Sequence, residues 1–316
     1  MRNDFEKIRI IFIGTTDFST AVLKTLTADG YNVIAAVSQP DKPVGRKQIV
    51  TPSPVHQFCT EQALPCLQPS KLREEAEAIL SLRPDLIVTC AYGQMVPAVL
   101  LKAPKYGCLN IHPSLLPKYR GGAPMHRAIW SGDTQTGVCL MQMVEKMDAG
   151  DVYAKVAIPI GPDETLSQLE GRLKHAACTL LRSHLPAYLQ GELKGMAQQD
   201  EQATIARNIT KEEEQILFAS EPAKEAYNHI RALIAWPMPY GRIDGRRIKF
   251  LEARLDEKDS MCRPGTVLGF REGAMEIAAK GGIIRILKLQ PEGKNAMSAK
   301  AFANGVGRTL IGHCFE

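Results

Sequence analysis

The sequence, 316 residues long, predicts an α/β protein: a Rossmann-like, doubly wound parallel sheet followed by a C-terminal OB-like β-barrel domain. Two observations predict this fold class. Short apolar runs alternate with amphipathic helical stretches up to residue 191, and short strand-like runs broken by Gly and Pro follow one another closely after residue 240. Between them, Glu192–Asn208 is polar and lacks apolar periodicity. We therefore expect a first domain over residues 1–191, a linker over 192–210 and a second domain over 211–316.

The chain opens with a strand, a helix and a second strand. Ile8–Gly14 is a nearly continuous apolar run that ends in glycine, a pattern typical of a central parallel strand. Ser19–Ala28 has helical spacing, and Asn32–Val37 is a second β-branched run. The turn after the first strand holds a single glycine, whereas a dinucleotide fingerprint needs Gly-x-Gly-x-x-Gly. The sequence therefore argues against NAD binding.

The remaining elements follow the same two periodicities. We predict helices over Val55–Gln62, Lys71–Leu82, Met125–Trp130 and Glu164–Leu189, and strands over Leu86–Cys90, Cys108–His112, Gly137–Met143 and Val152–Ile160. In the second domain we predict a helix over Pro222–Ala235, followed by strands over Tyr240–Ile243, Arg247–Ala253, Gly265–Leu268, Ala274–Ala278 and Ile283–Gln290. Short strands at such close spacing are typical of a small closed barrel.

One segment, Gln39–Pro54, is longer and richer in proline than a strand-to-helix connection usually is. We predict a polar, non-helical loop that carries three cations, Lys42, Arg46 and Lys47. A long basic loop suits a phosphate-rich partner. The alternative is a solvated insertion with ordinary surface cations.

The strongest functional signal lies at the end of the predicted strand Cys108–His112. Strand side chains alternate, so Asn110 and His112 share one face, and Pro113 and Pro117 forbid regular structure afterwards. Ligands of open α/β sheets bind at such strand ends. Asn110 can donate N–H groups to an oxyanion, and His112 can move protons near neutral pH. The alternative is a structural histidine beside an asparagine that caps a turn.

A histidine base works best when a carboxylate fixes its tautomer, and Asp148 is the candidate. It follows the predicted strand Gly137–Met143, and in a parallel sheet its loop would leave the same edge as the loop after His112. Asn, His and Asp without an activated Ser or Cys would suit direct acyl transfer to an amine. The alternative is an ordinary turn, for which Asp-Ala-Gly-Asp is a common composition. Asp148 and Asp151 lack further ligands for a cation, so we expect no metal.

Composition is that of an ordinary globular protein. The chain is 45% hydrophobic and 23% charged, and its net charge of +5 is too small to argue for nucleic acid by itself. The eight cysteines are scattered without a Cys-x-x-Cys pair, a spacing that fits neither a zinc site nor a disulfide framework. We therefore expect a reducing, cytoplasmic location, with neither a signal peptide nor a membrane span.

The segment Asn110–Pro117, followed by Arg120–Pro124, resembles the folate-dependent formyltransferases. Asp148 falls where that family places its third catalytic residue. Gln39–Arg46 resembles the tRNA-contacting insertion of the members that act on methionyl-tRNA. The specificity of these motifs identifies the chain as similar to that branch of the family.

The resemblance extends into the second domain and runs essentially from end to end. Trp236–Met238 and Leu289–Lys294 are similar to the C-terminal domain of the members that act on methionyl-tRNA. Two segments depart from the family pattern, Ile216–Phe218 and Phe302–Glu316. These departures affect the expected tRNA contacts more than the expected chemistry.

The resemblance implies a formyl donor, 10-formyltetrahydrofolate, and an acceptor, the α-amine of methionine on initiator tRNA, as translation initiation requires. His112 would serve as general base, Asn110 would stabilise the oxyanion, and Asp148 would orient His112. The residues implied to contact folate are Ser114, Leu115, Leu116 and Pro117, and those implied to contact the tRNA acceptor stem are Lys42, Arg46 and Lys47. The first domain would be catalytic and the barrel domain would bind tRNA. No metal and no protein partner is implied, and we expect a monomer.

Other interpretations stay open. A formyltransferase for another amine, such as that of a sugar nucleotide, or a hydrolase of the folate donor, would keep the chemistry and change the acceptor. A tRNA-binding module without catalytic activity would belong to a different class. The basic, proline-rich loop speaks against the first two, and the intact Asn110, His112 and Asp148 speak against the third.

Overall fold

The computed structural model describes residues 4–45 and 47–316. The chain divides into two compact units. The first unit combines the described residues up to 122 with residues 136–158 and 170–206, and the second combines residues 123–135, 159–169 and 207–316. The predicted division into residues 1–191, 192–210 and 211–316 concerns independent folding and stays a prediction.

The elements up to residue 189 alternate largely as the periodicities predict. The strands are β1 (Ile10–Gly14), β2 (Val33–Val37), β3 (Lys42–Val44), β4 (Ile49–Thr51), β5 (Cys66–Leu67), β6 (Leu86–Cys90), β7 (Cys108–His112), β8 (Gln135–Gln142) and β9 (Val152–Pro159). The helices are α1 (Asp17–Ala28), α2 (Pro54–Glu61), α3 (Ala76–Ser81), α4 (Ala98–Lys102), α5 (Pro124–Trp130) and α6 (Leu166–Leu189). Short 3-10 turns cover Asp4–Lys7, Asp200–Gln202, Glu212–Glu214 and Val306–Leu310. Within the described ranges, none of the helices combines the length and the apolar character that a bilayer span needs.

The first unit is built on a seven-stranded sheet with the order β5–β2–β1–β6–β7–β8–β9. The pairs from β5 to β7 are parallel, and β1 and β6 are buried along their whole length, as apolar central strands should be. The predicted α/β class is thereby confirmed. The expectation that β8 runs parallel to β7 is wrong: the two are antiparallel, with His112 opposite Cys139. The strand that follows the loop after His112 therefore returns along β7 instead of continuing the parallel order.

The helix predicted over Lys71–Leu82 begins only at Ala76. Leu72 is buried, and its N–H donates to Oε1 of Gln94 at 2.9 Å. The residues before Ala76 form turns, in which the N–H of Leu72 binds a residue distant in the sequence. This tertiary contact outweighs the helical pattern of the local sequence.

The basic segment Gln39–Pro54 contains an exposed hairpin. β3 pairs with β4 in antiparallel fashion, with Lys42 opposite Thr51 and Val44 opposite Ile49. These two strands were not predicted, because Pro43 lacks the N–H that a strand interior needs. Proline is nevertheless tolerated in a strand whose N–H side has no neighbour.

The second unit is organised around an antiparallel sheet. Its elements are α7 (Ala223–Leu233), β10 (Tyr240–Ile243), β11 (Arg246–Asp256), β12 (Val267–Arg271), β13 (Ala274–Ala279), β14 (Gly282–Pro291), β15 (Met297–Ser298) and α8 (Ala299–Ala303). The strand order is β10–β11–β14–β13–β12, with β15 paired to β14. The predicted β-rich second domain is confirmed, its sheet is antiparallel, and each of the five main strands overlaps the range predicted for it, with β12 beginning at Val267 instead of Gly265.

The last residues of the chain connect the two outer strands of this sheet. The N–H of Phe315 donates to the carbonyl of Gly265, just before β12, at 2.9 Å. The N–H of the next residue, Glu316, donates to the carbonyl of Arg242 in β10 at 2.8 Å. The tail thus closes the sheet in the manner of a barrel.

The ring of Phe315 anchors this closure in the core. It lies 5.6 Å from the ring centroid of Phe218 and 5.7 Å from that of Phe250, and all three rings are buried. Burying three aromatic side chains in contact is a large favourable contribution for a sheet of this size.

Phe315→Ala should lower the free energy of unfolding of the second unit by about 3–5 kcal/mol, because it leaves a cavity between two buried rings. Urea unfolding followed by tryptophan fluorescence measures it, since Trp130 and Trp236 both belong to that unit. Ile311→Ala, in the same tail and 47% exposed, is the control and should change the free energy by about 0.5 kcal/mol or less. Equal effects of the two substitutions would contradict the closure.

Candidate active site

His112, the last residue of β7, is buried and its ring nitrogens face different partners. Nε2 lies 2.9 Å from the carbonyl oxygen of Tyr119. A carbonyl can only accept, so Nε2 carries the hydrogen of the neutral ring. Nδ1 lies 3.7 Å from Oδ2 of Asp148. The lone pair of the neutral ring is therefore on Nδ1, beside a carboxylate, where it can accept a proton.

The carboxylate of Asp148 meets two further groups of the first unit. Oδ2 accepts the backbone N–H of Gly121 at 2.8 Å, and Oδ1 lies at the long distance of 3.5 Å from the donor Nδ2 of Asn110. The structure therefore brings together the three residues predicted from the sequence as catalytic, Asn110, His112 and Asp148.

Asp148 reaches this place by a route that the sequence did not predict. Because β8 is antiparallel to β7, its loop starts at the opposite end of β7, where the N–H of Met143 donates to the carbonyl of Cys108 at 2.8 Å. The loop then doubles back towards His112. Asp148 itself has φ +48°, in the left-handed region that aspartate tolerates better than most residues. Asp148 therefore lies beside His112, although its loop does not leave the edge of the sheet from which it was expected.

Thr89, on the neighbouring strand β6, orients the amide of Asn110. The Thr89 hydroxyl lies 2.9 Å from Oδ1 of Asn110, with the carbonyl of Leu109 at 3.1 Å as an alternative acceptor. A hydroxyl beside Oδ1 assigns the donor role to Nδ2, on the side of Asp148. This is the placement that a donor to a developing oxyanion needs.

The segment Ser114–Pro117, implied to contact folate, forms the first turn of the loop after β7. Ser114 is fully buried, and its hydroxyl donates to the carbonyl of Lys118 at 2.7 Å. Leu116 is buried in an apolar cluster. Leu115 and Pro117 are partly exposed, so these two side chains are the ones in this segment that a ligand can touch.

Exposed apolar side chains lie on the loops that follow β6 and β8. Met95 is 63% exposed, Val144 37% and Met147 45%. An ion pair of 2.7 Å between Lys102 and Glu145 joins α4, which follows the first of these loops, to the second. Apolar side chains left exposed on adjacent loops suit a flat ligand with apolar faces.

Thiol chemistry does not fit the site. Burial raises the pKa of Cys108 and of Cys90 far above the ordinary thiol value, and raises that of Cys139 to about 11. Near neutral pH these thiols are protonated and poor nucleophiles. Within residues 4–45 and 47–316, no group of three or more His, Cys, Asp or Glu side chains is placed to bind a metal. The arrangement fits direct proton transfer and oxyanion stabilisation by His112 and Asn110.

Two of the residues predicted to contact tRNA, Lys42 and Lys47, are exposed on the hairpin of β3 and β4. The third, Arg46, lies outside the described residues. The hairpin also exposes large apolar side chains: Val44, Ile49 and Val50 are between 57% and 63% exposed. A surface that combines cations with exposed apolar groups is unusual for a solvated insertion and favours a binding role.

Sequence reasoning missed three contributors to the cluster. Thr89 could have been found as the one hydroxyl residue in the apolar strand Leu86–Cys90. Tyr119 contributes its carbonyl, which no side-chain pattern reveals. Gly121 has φ +121°, and a Cβ there would lie 2.7 Å from the carbonyl oxygen of Ala206, so only glycine fits.

Comparison with protein families matches both halves of the chain. Residues 7–185 match the family described as formyl transferase, and residues 208–307 match the formyl transferase C-terminal domain. The chain is 46% identical over 304 residues to the methionyl-tRNA formyltransferase of Geobacillus thermodenitrificans, with 95% of each protein aligned. It is 44% identical over 306 residues to the methionyl-tRNA formyltransferase of Halalkalibacterium halodurans, with 96% of each aligned.

Solved structures share the fold at low sequence identity. HypX from Aquifex aeolicus in complex with tetrahydrofolic acid superposes with a TM-score of 0.67 at 19% identity, over 96% of this chain and 48% of that one. The sugar 3N-formyl transferase WlaRD, solved with dTDP and 5-N-formyl-THF, superposes with a TM-score of 0.66 at 18% identity, over 91% of this chain and 99% of that one. These likenesses confirm the fold class.

The neutral ring of His112 should be the Nε2–H tautomer, because the carbonyl of Tyr119 can accept but not donate. Nitrogen NMR of the protein labelled in its histidine rings, recorded above neutral pH, distinguishes protonated from unprotonated ring nitrogens. A His112→Gln variant identifies the signal. Finding the hydrogen on Nδ1 would contradict this geometry, since Asp148 rather than Tyr119 would then fix the ring.

Proposed function

The chain belongs to the methionyl-tRNA formyltransferase family, and on that premise we propose that its Asn110–His112–Asp148 cluster transfers the formyl group of 10-formyltetrahydrofolate to the α-amine of methionine on initiator tRNA. The protein is thus an enzyme, a transferase of one-carbon groups. The observation that carries the proposal is the buried ring of His112, whose proton-accepting Nδ1 lies 3.7 Å from Asp148 beside an oriented amide donor.

Formyl transfer to an amine makes three demands on the protein: the amine must lose a proton, negative charge on the formyl oxygen must be stabilised, and the leaving nitrogen of the donor must gain a proton. Nδ1 of His112 takes the proton as the amine bonds to the formyl carbon, and the imidazolium then returns it to the leaving nitrogen as the bond between that nitrogen and the formyl carbon breaks. The carboxylate of Asp148 stabilises the imidazolium that results. Nδ2 of Asn110 donates to the oxygen on which charge develops. Thr89 and the carbonyl of Tyr119 hold the amide and the ring in these orientations, so little reorganisation is needed during the reaction.

Exposed apolar side chains on the loops after β6 and β8 fit a folate donor. Met95, Val144 and Met147 offer exposed apolar contacts to a flat pterin, and we propose Ser114–Pro117 as a further part of this wall, with contacts from Leu115 and Pro117. HypX, which shares the fold, was solved with tetrahydrofolic acid, and this supports the same class of ligand. When bound, the donor supplies the formyl carbon that the amine attacks.

For the acceptor we propose that the hairpin of β3 and β4 contacts the tRNA acceptor stem. Lys42 and Lys47 are exposed cations on that hairpin, and Arg46 is proposed with them from the sequence. Such cations bind phosphate oxygens and position the nucleic acid without reading its sequence. Since its product would serve translation initiation, we propose that the enzyme is cytoplasmic. We also propose that it acts as a monomer.

Incubation of the purified chain with 10-formyltetrahydrofolate and methionylated initiator tRNA should yield formyl-methionine, detected by mass spectrometry after deacylation of the tRNA. A dTDP-linked amino sugar serves as the competing acceptor, because WlaRD has a similar fold and is a sugar formyltransferase. Formylation of the sugar nucleotide but not of the tRNA would overturn the proposed acceptor. Release of free formate without either product would indicate a hydrolase.

His112→Ala should lower kcat by about 100- to 10,000-fold, because removal of a general base slows proton transfer. Binding of the folate donor, measured by titration, should change by less than about threefold, since the ring acts on the amine proton. His175→Ala is the matched control, because His175 is exposed on α6 and should leave kcat unchanged. Wild-type activity in a correctly folded His112→Ala variant would contradict the assignment of His112 as the general base.

Replacement of Lys42 and Lys47 by alanine should weaken tRNA binding and lower the slope of log affinity against log salt by about one per lysine lost. Filter binding across a range of salt concentrations measures both quantities. Lys71→Ala, which removes a 72% exposed cation outside the hairpin, is the control and should change neither. An unchanged slope in the double variant would remove the hairpin from the tRNA interface.

A further inference from the structure

The polar stretch Glu192–Asn208, expected to be a linker, contains a segment that spans the candidate site. Residues 196–206, which we name the crosspiece, belong to the first unit and contact both loops of the cluster. At one end Met196 and Val152 exchange two backbone hydrogen bonds of 2.9 Å beside the Asp148 loop. At the other end the N–H of Ala206 donates to the carbonyl of Arg120 at 2.7 Å, in the loop that follows His112.

Within the crosspiece, Gln198 contacts the backbone of Asp148 directly. Its Nε2 donates to the carbonyl of Asp148 at 2.8 Å and to the carbonyl of Gly150 at 2.7 Å. The first carbonyl belongs to the residue whose φ is +48° and whose carboxylate lies beside His112, and the second lies two residues after it. The two bonds therefore tie the backbone of the Asp148 turn to the crosspiece.

Arg120 fixes the orientation of the Gln198 amide. The guanidinium is buried, and its Nε donates to Oε1 of Gln198 at 3.0 Å, while Nη1 donates to Asp200 at 2.8 Å. Asp200 also pairs with Lys146, two residues before Asp148. Because Oε1 receives a cationic donor, both hydrogens of Nε2 must point at the Asp148 turn.

The crosspiece holds the partner of His112 as well. The N–H of Tyr119 donates to Oγ1 of Thr204 at 2.8 Å, and the N–H of Arg120 donates to the carbonyl of Thr204 at 2.8 Å. Tyr119 is the residue whose carbonyl accepts from Nε2 of His112. The crosspiece thus contacts both the residue that binds the imidazole of His112 and the turn that carries the carboxylate of Asp148.

We propose that Gln198, oriented by Arg120, is a positioning residue that holds the Asp148 carboxylate at its working distance from His112. The inference rests on the proposed function of the cluster and adds to it a residue that touches no reacting atom. A glutamate would put acceptors where two carbonyls need donors, and an asparagine would be one methylene too short. Glutamine is the side chain whose length and donor pair fit this place.

The test compares Gln198→Met, of similar length but without hydrogen bonds, with Gln202→Met, an exposed glutamine on the same crosspiece. Gln198→Met should lower kcat by about 10- to 100-fold, because a small misplacement of catalytic groups costs about that much. The KM values for donor and tRNA should change by less than about threefold. Gln202→Met should match the wild type. An unchanged kcat in Gln198→Met overturns the proposal.

A double-variant cycle distinguishes an effect of Gln198 that acts through Asp148 from an independent effect, such as a loss of folding. If Gln198 acts through Asp148, Gln198→Met should lower kcat by less than about twofold further in an Asp148→Asn background. An equal loss in both backgrounds would show that Gln198 acts independently of Asp148 and would overturn the proposal.

A measurement without turnover separates this inference from the proposed function. Nitrogen NMR of the His112 ring should show a changed Nδ1 signal in Gln198→Met and an unchanged one in Gln202→Met, whichever acceptor the enzyme uses. Absence of formyl product with the wild type would refute the proposed function alone. An unchanged His112 signal in Gln198→Met would refute the positioning role alone.

Discussion

The separation of His112 and Asp148 is the constraint on which the candidate site depends. A carboxylate stabilises a neighbouring imidazolium only if both are held, partly out of water, close to one another, here 3.7 Å between Nδ1 and Oδ2. Each is held by backbone: the carbonyl of Tyr119 accepts from the ring, and the N–H of Gly121 donates to the carboxylate. Backbone partners cannot change rotamer, so the geometry is set before a substrate binds.

The sequence revealed the residues of this site that follow the two-residue alternation of a strand. Alternation along Cys108–His112 placed Asn110 and His112 on one face, and the strand lies where it was predicted. Asp148 was found for a mistaken reason, because β8 is antiparallel to β7 and its loop starts at the opposite end of β7 from His112. Gln198 and Tyr119 were not found at all. Tyr119 contributes only its backbone carbonyl, and Gln198 donates to backbone carbonyls of a loop that is distant in the sequence. Contacts of these kinds produce no periodic pattern of side chains.

The C-terminal tail is a second example of contacts that the sequence does not reveal, and these contacts stabilise the second unit. Phe315 is buried against two other rings, and the backbone N–H groups of Phe315 and Glu316 close the sheet. Backbone hydrogen bonds do not depend on side-chain identity, so they leave no pattern in the sequence of the tail. The strands of the sheet, in contrast, need alternating apolar residues throughout and were visible in the sequence.

The central claim is that His112 transfers the amine proton during formyl transfer, and chemical rescue tests it most directly. In a His112→Gly variant, formyl transfer to methionyl-tRNA is measured against increasing concentrations of free imidazole. The account predicts a slow variant whose rate rises with imidazole towards a plateau, because the added base occupies the vacated place beside Asp148. A variant that already turns over at the wild-type rate without imidazole would contradict the account.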